Sequence, residues 1–549
     1  MELLVAVLTL LVAVYTVIPR GRQLDLSLRL NVVDWLMLFT GSAFAIYLQY
    51  YTFFEIHHLA PVRSKWPGGL TPENSTSLVI LIVLAILAVR IRFVTLSRRR
   101  IYKFQRLAEQ LLWSEAYAEL ISLFDRHLYK FFKIYYADYS ATELRRSLER
   151  NVSPRFEDLV REFYKQENLG EQTGLSPRRG VPIHISAWLA RLVLNVVPDY
   201  SREQAAAQET ARSVLLSPHF VAALARSRPY FGLKIIEIWR RNHDQFEFAD
   251  LYVRELIKNQ SSVFYRELEN NQNLVAGHRY QLPAANHLLC YFLKNAETAK
   301  HFHVYKAIGD YVLHELDRIG RDPGSDPYNQ AMGDFEELDA WRSPVFAAIR
   351  FFDIMVMEAL YQGIEWHMWL YYFPVFMKLI VRNYRLSDPL ADPNAEWPTR
   401  YNFLIYEMFS ALRNWIKATE NIPANQRNVS LQSTRVEHEN GNIPKSAILA
   451  LAECVRCVLE SDNLSKKSQR YLLDMVFHLY FELQRTQNGE AYATVLLAAI
   501  QKGGSWKPRD DEPYESRLAD AFNTLKSEYY VKYRHEEVDV VGRILASGA

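Results

Sequence analysis

The feature that most constrains this chain is a run of positive charge that follows directly on apolar sequence. The stretch RIRFVTLSRRRIYKFQRLAEQLL, residues 90–112, contains no acidic residue before Glu109. Its seven cations are Arg90, Arg92, Arg98, Arg99, Arg100, Lys103 and Arg106. Because Lys and Arg collect on the cytoplasmic side of a bilayer, the pattern predicts a membrane-interface basic cluster at which the chain enters the cytoplasm.

Three apolar stretches precede this basic cluster and predict three membrane-spanning helices, at about 2–18, 34–54 and 77–96. A helix needs about 20 mainly apolar residues to cross the hydrocarbon layer of a bilayer. The first stretch lacks a basic leader, which favours an uncleaved anchor over a signal peptide. Arginines between the first two stretches place the N-terminus outside and the chain after about residue 97 in the cytoplasm. The predicted location is a multi-pass membrane protein, with a bacterial inner membrane favoured by the short loops, and the lipid bilayer is its first predicted partner.

The second apolar stretch contains Gly41 and Ala45, two small residues four positions apart. Small residues at this spacing allow close approach of helices, either within the chain or between chains. The sequence therefore leaves open whether the chain forms a homo-oligomer. No Asp, Glu, Lys or Arg lies near the centre of any stretch. Active transport, which needs such groups, is therefore disfavoured.

Charge and cysteine content narrow the function further. The formal net charge of the 549 residues is +2. Since the basic cluster contributes seven positive charges, the rest of the chain is slightly acidic and nucleic acid is an improbable partner. Three cysteines cannot form a disulfide framework, which suits a reducing compartment.

The sequence after the basic cluster predicts an all-α body, an irregular helical stack like an α-solenoid. In LAEQLLWSEAYAELISLFDRHLYKFF, apolar residues recur three and four positions apart, with Ser114 suited to cap the second run. This segment resembles one helix-turn-helix unit of a tetratricopeptide array, but the chain lacks the repeat of roughly 34 residues that such arrays need. The predicted divisions are a transmembrane region at 1–96, a juxtamembrane helical unit at 97–167, a linker at 168–182, a central helical domain at 183–386 and a C-terminal helical domain at 387–549.

One aromatic stretch in the body invites two readings. WHMWLYYFPVFMKLIV, residues 366–381, is only 16 residues long and contains Pro374 and Lys378, which favours a buried core helix over a fourth span. Its tryptophans, Trp366 and Trp369, are the candidate ligand-groove or interface aromatics.

Motifs that would indicate catalysis are scarce. Cys454 and Cys457 form a single C-x-x-C inside a helical pattern, whereas a structural zinc site needs four ligands. His301 and His303 are two apart on a predicted helix and point to different faces, so they cannot share a metal. The chain contains no phosphate-binding loop, dinucleotide fingerprint or nucleophile elbow. We therefore predict no catalytic residue, no cofactor and no metal site.

These observations lead to one main hypothesis and two alternatives. The main one is a membrane-anchored, non-enzymatic binding or sensor protein whose cytoplasmic helical body takes a protein partner or a small ligand. The first alternative is an oligomeric effector that perturbs the bilayer on sensing a signal, by analogy with bacterial antiviral defence modules. The second is a hydrolase held at the membrane.

Overall fold

The computed structural model of this protein describes most of the chain after residue 31. The described residues are 28, 32–58, 71–93, 96–138, 140–152, 196, 199–240, 243–271, 275–276, 279–364, 368–418, 443–486, 489–504 and 512–546. Within them the protein is α-helical apart from one short antiparallel pair, β1 (Val275–Ala276) with β2 (Arg279–Tyr280), which confirms the all-α prediction.

The structure describes eleven α-helices in the first half of the chain. They are α1 (Val32–Gln49), α2 (Tyr51–Ile56), α3 (Pro72–Phe93), α4 (Ile101–Trp113), α5 (Tyr117–Tyr135), α6 (Ser140–Val152), α7 (Ser201–Thr210), α8 (Pro218–Ser227), α9 (Pro229–Ile238), α10 (His243–Lys258) and α11 (Val263–Asn271).

The second half contains eleven more. They are α12 (His287–Leu293), α13 (Ala296–His301), α14 (Val304–Arg321), α15 (Pro344–Tyr361), α16 (Tyr372–Asn383), α17 (Arg400–Lys417), α18 (Ile443–Glu460), α19 (Lys466–Arg485), α20 (Glu490–Gln501), α21 (Glu512–Lys532) and α22 (His535–Ala546). The chain divides into two compact units. Unit 1 comprises residues 1–224 and 237–240, and unit 2 comprises residues 225–236 and 241–549.

The predicted membrane spans are wrong for the helices that the structure describes. Among these, no helix combines the length and the apolar character that crossing a membrane requires. The apolar stretch at 34–54 is divided, because α1 ends at Gln49 and a separate six-residue helix, α2, begins at Tyr51. Residues 77–93 of the third stretch belong to α3, whose first turns are polar (PENSTS) and whose last turn carries arginines. The stretch at 2–18 lies outside the described residues.

The predicted localisation depended on those spans and is therefore wrong as well. A multi-pass membrane protein with its N-terminus outside and its body in the cytoplasm has no support from the described helices. The predicted linker at 168–182 lies outside the described residues.

Unit 1 contains an aromatic core between α4 and α5. Phe104, Phe124 and Phe131 are fully buried, with ring centroids 5.1–5.4 Å apart. The last two lie seven positions apart on α5, so helical periodicity alone brings them to one face. Ser114 does not cap α5; it lies at the C-terminal end of α4, where its hydroxyl donates to Leu111 O at 3.3 Å.

Unit 2 is organised around α15, which is buried along nearly its whole length. The helix begins where Ser343 Oγ accepts a hydrogen bond from Phe346 N at 3.2 Å and Pro344 occupies the first helical position, two strong start signals. A helix that is apolar all round must be covered on every side. Helices α11, α14 and α17 and strand β2 all pack against it, so the polar residues that α15 does carry lie inside the unit.

Candidate functional site

The most unusual feature of unit 2 is a buried group of charges between α15 and α17. Arg350 and Asp353 lie on α15 and Glu407 lies on α17. The Arg350 guanidinium approaches both carboxylates, with Nη1 3.4 Å from Glu407 Oε2 and 4.0 Å from Asp353 Oδ2. We call these three residues the Arg350 cluster. Two carboxylates share one cation, so the cluster carries an excess of negative charge when both are ionised.

Asp353 is fixed in place by two hydrogen bonds. Tyr280 OH donates to Oδ2 at 2.5 Å, and Trp415 Nε1 donates to Oδ1 at 2.8 Å. The short β pair presents Tyr280, and α17 presents Trp415 two turns after Glu407. Burial nevertheless raises the pKa of Asp353, since the loss of solvation outweighs the tyrosine, the arginine and the tryptophan.

Glu407 is held less completely than Asp353. Burial raises the pKa of Glu407, the Asp353 and Glu336 carboxylates raise it further, and Arg350 only partly opposes them. Arg350 Nε is buried and meets no hydrogen-bond acceptor among the described residues. The cluster therefore retains hydrogen-bonding capacity that unit 2 does not use, a property more common at functional sites than in structural ion pairs.

The Arg350 cluster reaches the surface on one side. The Arg350 side chain is 31% exposed and the Glu407 side chain 11% exposed. The guanidinium carbon of Arg350 lies 5.3 Å from the centre of the Phe346 ring and 6.0 Å from that of Trp341. A guanidinium here is thus bound by aromatic faces and carboxylates together.

A second group of aromatic rings and carboxylates lies beside Glu407, at the surface of unit 2. Tyr406, Trp397 and Tyr471 form a group of rings, with centroids 4.6 Å apart for Trp397–Tyr406, 5.3 Å for Trp397–Tyr471 and 6.2 Å for Tyr406–Tyr471. Tyr471 is 37% exposed, and the other two are half-buried. Burial raises the pKa of Tyr406, and Glu407, Glu396 and Glu336 raise it further.

We call these three rings, with Glu336 and Glu396, the acidic–aromatic surface. Both glutamates are exposed. Glu336 belongs to a short helical turn, Phe335–Asp339, in which Glu337 and Asp339 are exposed as well, as is Asp334 just before it. Negative potential beside exposed aromatic faces is suited to binding guanidinium or ammonium groups.

The basic cluster predicted from the sequence divides between several elements of unit 1. Arg90 and Arg92 lie in the last turn of α3, and their side chains are outside the described set. Arg98, Arg99 and Arg100 form a short 3₁₀ turn, with the Arg98 guanidinium 3.9 Å from the centre of the Tyr200 ring and Arg100 donating to Leu28 O. Lys103 and Arg106 are exposed on α4.

The small residues predicted to pack helices lie between α1 and α3. A Cβ on Gly41 would be 2.7 Å from Val83 of α3, and Ala45 is fully buried. Trp366 lies outside the described residues. Trp369 falls in a 3₁₀ turn, Met368–Tyr371, before α16, and its side chain is outside the described set.

Residues that could have supported catalysis or metal binding are not brought together. Cys454 is buried and Cys457 half-buried on α18, and burial raises the pKa of Cys457 to about 11, which opposes a reactive thiolate. His303 begins α14 in the left-handed region, at φ 51°, and its ring lies near Phe246, as does that of His301. Over the described ranges, no three His, Cys, Asp or Glu residues gather closely enough to hold a metal ion.

Sequence reasoning missed the Arg350 cluster and the acidic–aromatic surface altogether. One signal was present: Arg350 and Asp353 are charged residues, three positions apart, in a mainly apolar helix whose other charged residue is Glu358. Such residues face one another on a helix and must find partners when the helix is buried. Nothing in the sequence indicates that their partners are Tyr280, Glu407 and Trp415, which are 57 to 73 positions away along the chain.

Comparison with known protein families, with curated proteins and with solved structures yields no match to this chain.

Proposed function

We propose that this chain is a non-enzymatic binding protein whose unit 2 takes a basic segment of a protein partner on the acidic–aromatic surface. The observation that carries the proposal is the arrangement of Trp397, Tyr406 and Tyr471 as partly exposed rings beside the Glu336 and Glu396 carboxylates. Aromatic residues with desolvated neighbours commonly supply most of the binding energy of an interface.

The interior of unit 2 supports the choice of a cationic partner. Arg350 binds there to two aromatic faces and two carboxylates. An arginine of a partner would find the same kinds of group at the surface, with a carboxylate to pair and a ring to stack on. Cation–π contacts contribute roughly 0.5–2 kcal/mol each, depending on their desolvation.

Nearby cations limit where the partner's charge can lie. Arg413 bonds to both oxygens of Glu482 at 2.9 and 3.0 Å, so that pair is already satisfied. Arg470, which is next to Tyr471 in the sequence, pairs with Glu528 and so already has a counter-ion. Glu336 and Glu396 are exposed, so we expect them to be the carboxylates that meet the partner.

The experiment measures binding of a synthetic arginine-rich peptide to the full-length protein by isothermal titration calorimetry. A peptide of equal length with glutamate in place of arginine is the reference. We expect Trp397→Ala and Glu396→Gln each to weaken binding of the basic peptide about tenfold, corresponding to roughly 1.4 kcal/mol. Trp113→Ala is the matched control, because Trp113 is a single ring, 86% exposed, on α4 of unit 1; it should leave the affinity unchanged.

Three results would contradict the proposal. One is equal binding of the two peptides, and another is an equal effect of Trp113→Ala and Trp397→Ala. The third is robust turnover of a nucleotide or another substrate by the purified protein. If free arginine bound as tightly as the peptide, we would conclude that this surface binds a small cationic ligand and not a protein partner.

A further inference from the structure

The largest exposed apolar surface of the described residues lies in unit 1, on α1, α2 and α3. Large apolar side chains there are between 40% and 76% exposed. They are Val33, Trp35, Leu36, Phe39, Phe44, Ile46, Tyr50, Phe53, Ile56, Leu78, Leu81, Ile82, Ile86 and Val89. We call these three helices the apolar helix group.

The exposed area is larger than a monomeric protein commonly presents. Taking about 200 Å² for a whole large side chain, these residues expose roughly 1,500 Å² of apolar surface. The largest apolar patch of a typical monomer is about 300–600 Å². A standard protein–protein interface buries about 800 Å² on each partner. The apolar helix group thus has ample area for a stable interface.

Two hydroxyls of these helices are satisfied within the chain. Thr40 Oγ1 donates to Leu36 O at 2.8 Å, and Thr76 Oγ1 donates to Pro72 O at 2.9 Å. Helix α1 carries one charged residue, Asp34, which is buried, and the charged residues of α2 and α3 lie near the helix ends, at Glu55, Glu73, Arg90 and Arg92. An interface over the middle of α1 and α3 would therefore leave few polar atoms without a partner, and such atoms are the main cost of burying a surface.

The chemistry of the surface favours a second copy as the occupant. Half of the exposed large apolar residues of α1 and α2 are aromatic rings, whereas α3 exposes only leucine, isoleucine and valine among its large apolar residues. A two-fold axis places the aromatic side of each copy on the aliphatic side of the other, which satisfies both sides at once. We infer that two copies of this chain associate through the apolar helix group and form a bundle from their α1 and α3 helices.

Gly41 and Ala45 have a definite place in this arrangement. Gly41 approaches Val83 of α3 in the same copy, and Ala45, one turn further along α1, is fully buried. They hold α1 and α3 together within one copy, and Phe39 and Leu81, 76% and 65% exposed, point away from that contact. The residues that join the two copies are therefore separate from those that join the two helices.

The test measures the mass of the full-length protein by sedimentation equilibrium over a range of concentrations. We expect a dimer for the parent protein and a monomer for the double variant Phe39→Glu/Leu81→Glu, with an unchanged far-ultraviolet circular dichroism spectrum. Trp113→Glu is the control, because it places the same charge on an exposed ring outside the group and should leave the dimer intact.

A second variant guards against misfolding of the first. A Phe39→Cys protein mixed with a Leu81→Cys protein places one thiol on α1 and one on α3, and a bismaleimide reagent should then link two copies, whereas Trp113→Cys should not be linked. A parent protein that is monomeric at every concentration would overturn the inference. So would a monomer that is captured whole by phosphatidylcholine vesicles, since lipid would then be the occupant, and so would a dimer that both glutamates leave unchanged.

Discussion

Two charged clusters on the same helix, α17, have opposite balances of charge. Near its middle, Glu407 shares Arg350 with Asp353, at 3.4 and 4.0 Å, inside unit 2. Near its end, Arg413 and Lys417 both pair with Glu482 of α19, Arg413 at 2.9 and 3.0 Å and Lys417 at 3.2 Å. The first cluster has two carboxylates for one cation, and the second has two cations for one carboxylate.

This difference in charge balance determines whether the pKa of each carboxylate is raised or lowered. Burial would raise the pKa of Glu482, but the hydrogen bonds and charges of Arg413 and Lys417 lower it overall. Burial raises the pKa of Glu407, and a single arginine at longer distance does not reverse this. Two glutamates on neighbouring helices are therefore shifted in opposite directions: the pKa of Glu482 is lowered, which favours its charged form, and the pKa of Glu407 is raised, which favours its protonated form. Only the first cluster can gain by binding an additional cation.

The strongest test of this contrast removes the shared cation. Arg350→Met should lower the free energy of unfolding by about 3–5 kcal/mol, because it leaves two buried carboxylates without a counter-charge. The loss should be largest at alkaline pH, since the two carboxylates can take up protons at acidic pH. Urea denaturation at two pH values measures both effects.

Arg382→Met is the control for that variant. Arg382 pairs with Asp317 at 3.2 Å, and its side chain is 55% exposed, so its loss should cost less than about 1 kcal/mol. Equal losses for the two variants would show that the Arg350 cluster is an ordinary surface pair.

A smaller effect is expected on removing one hydroxyl. Tyr280→Phe deletes the donor to Asp353 Oδ2 and should lower the free energy of unfolding by about 1.5–3 kcal/mol, as for other hydrogen bonds to charged groups. The same substitution at Tyr129, which is 70% exposed, should have no measurable effect. A neutral result at Tyr280 would mean that Asp353 is already protonated and needs no donor.

The contrast also shows what the sequence could predict. Helical periodicity and start signals in the sequence predict helices near 344–361 and 400–418, because an apolar face and a cap are local properties. The structure confirms both, with α15 at Pro344–Tyr361 and α17 at Arg400–Lys417. The predicted span at 34–54 failed because α1 ends at Gln49 and α2 begins at Tyr51, a break that no proline or glycine marks in YLQYYTFF. The third stretch belongs to a helix that begins with the polar residues PENSTS, just before the predicted span.

The sites were beyond local reasoning for a different reason. Arg350 and Glu407 are 57 positions apart, and only the packing of α15 against α17 brings them together. Trp366 and Trp369 were predicted as interface aromatics because they are tryptophans in an aromatic stretch. The rings that form a surface are instead Trp397, Tyr406 and Tyr471, which come from a loop and two helices. Pairings of this kind depend on tertiary structure and leave no periodic trace.

The pH dependence of stability should have opposite signs in the two clusters. The pKa of Glu407 is raised in the folded state above its unfolded value of about 4.3. Its contribution is therefore fully present below pH 4.3 and is lost as the pH rises through the folded value. Glu482 has a lowered pKa, so its contribution is present above about pH 4.3 and is lost as the pH falls through the folded value.

Glutamine variants isolate these two contributions. Glu407→Gln should make stability fall less steeply with pH above 4.3, and Glu482→Gln should make it fall less steeply on acidification below that value. Denaturation curves collected across the acidic range compare the two slopes. Slopes of the same sign would break the contrast between the clusters.

The smallest effect is expected where one cation of two is removed. Lys417→Met leaves Glu482 with both of its bonds to Arg413, and the Lys417 and Glu482 side chains are 31% and 37% exposed. The loss should be about 0.2–1 kcal/mol, as for other exposed pairs, and it should shrink further in high salt, because solvent-exposed charges are screened. The Arg350→Met loss should persist in salt, since the carboxylates that it leaves are buried. Urea denaturation of both variants at low and high salt therefore separates a redundant surface cation from an indispensable internal one, and a salt-insensitive loss at Lys417 would place the two clusters in the same class.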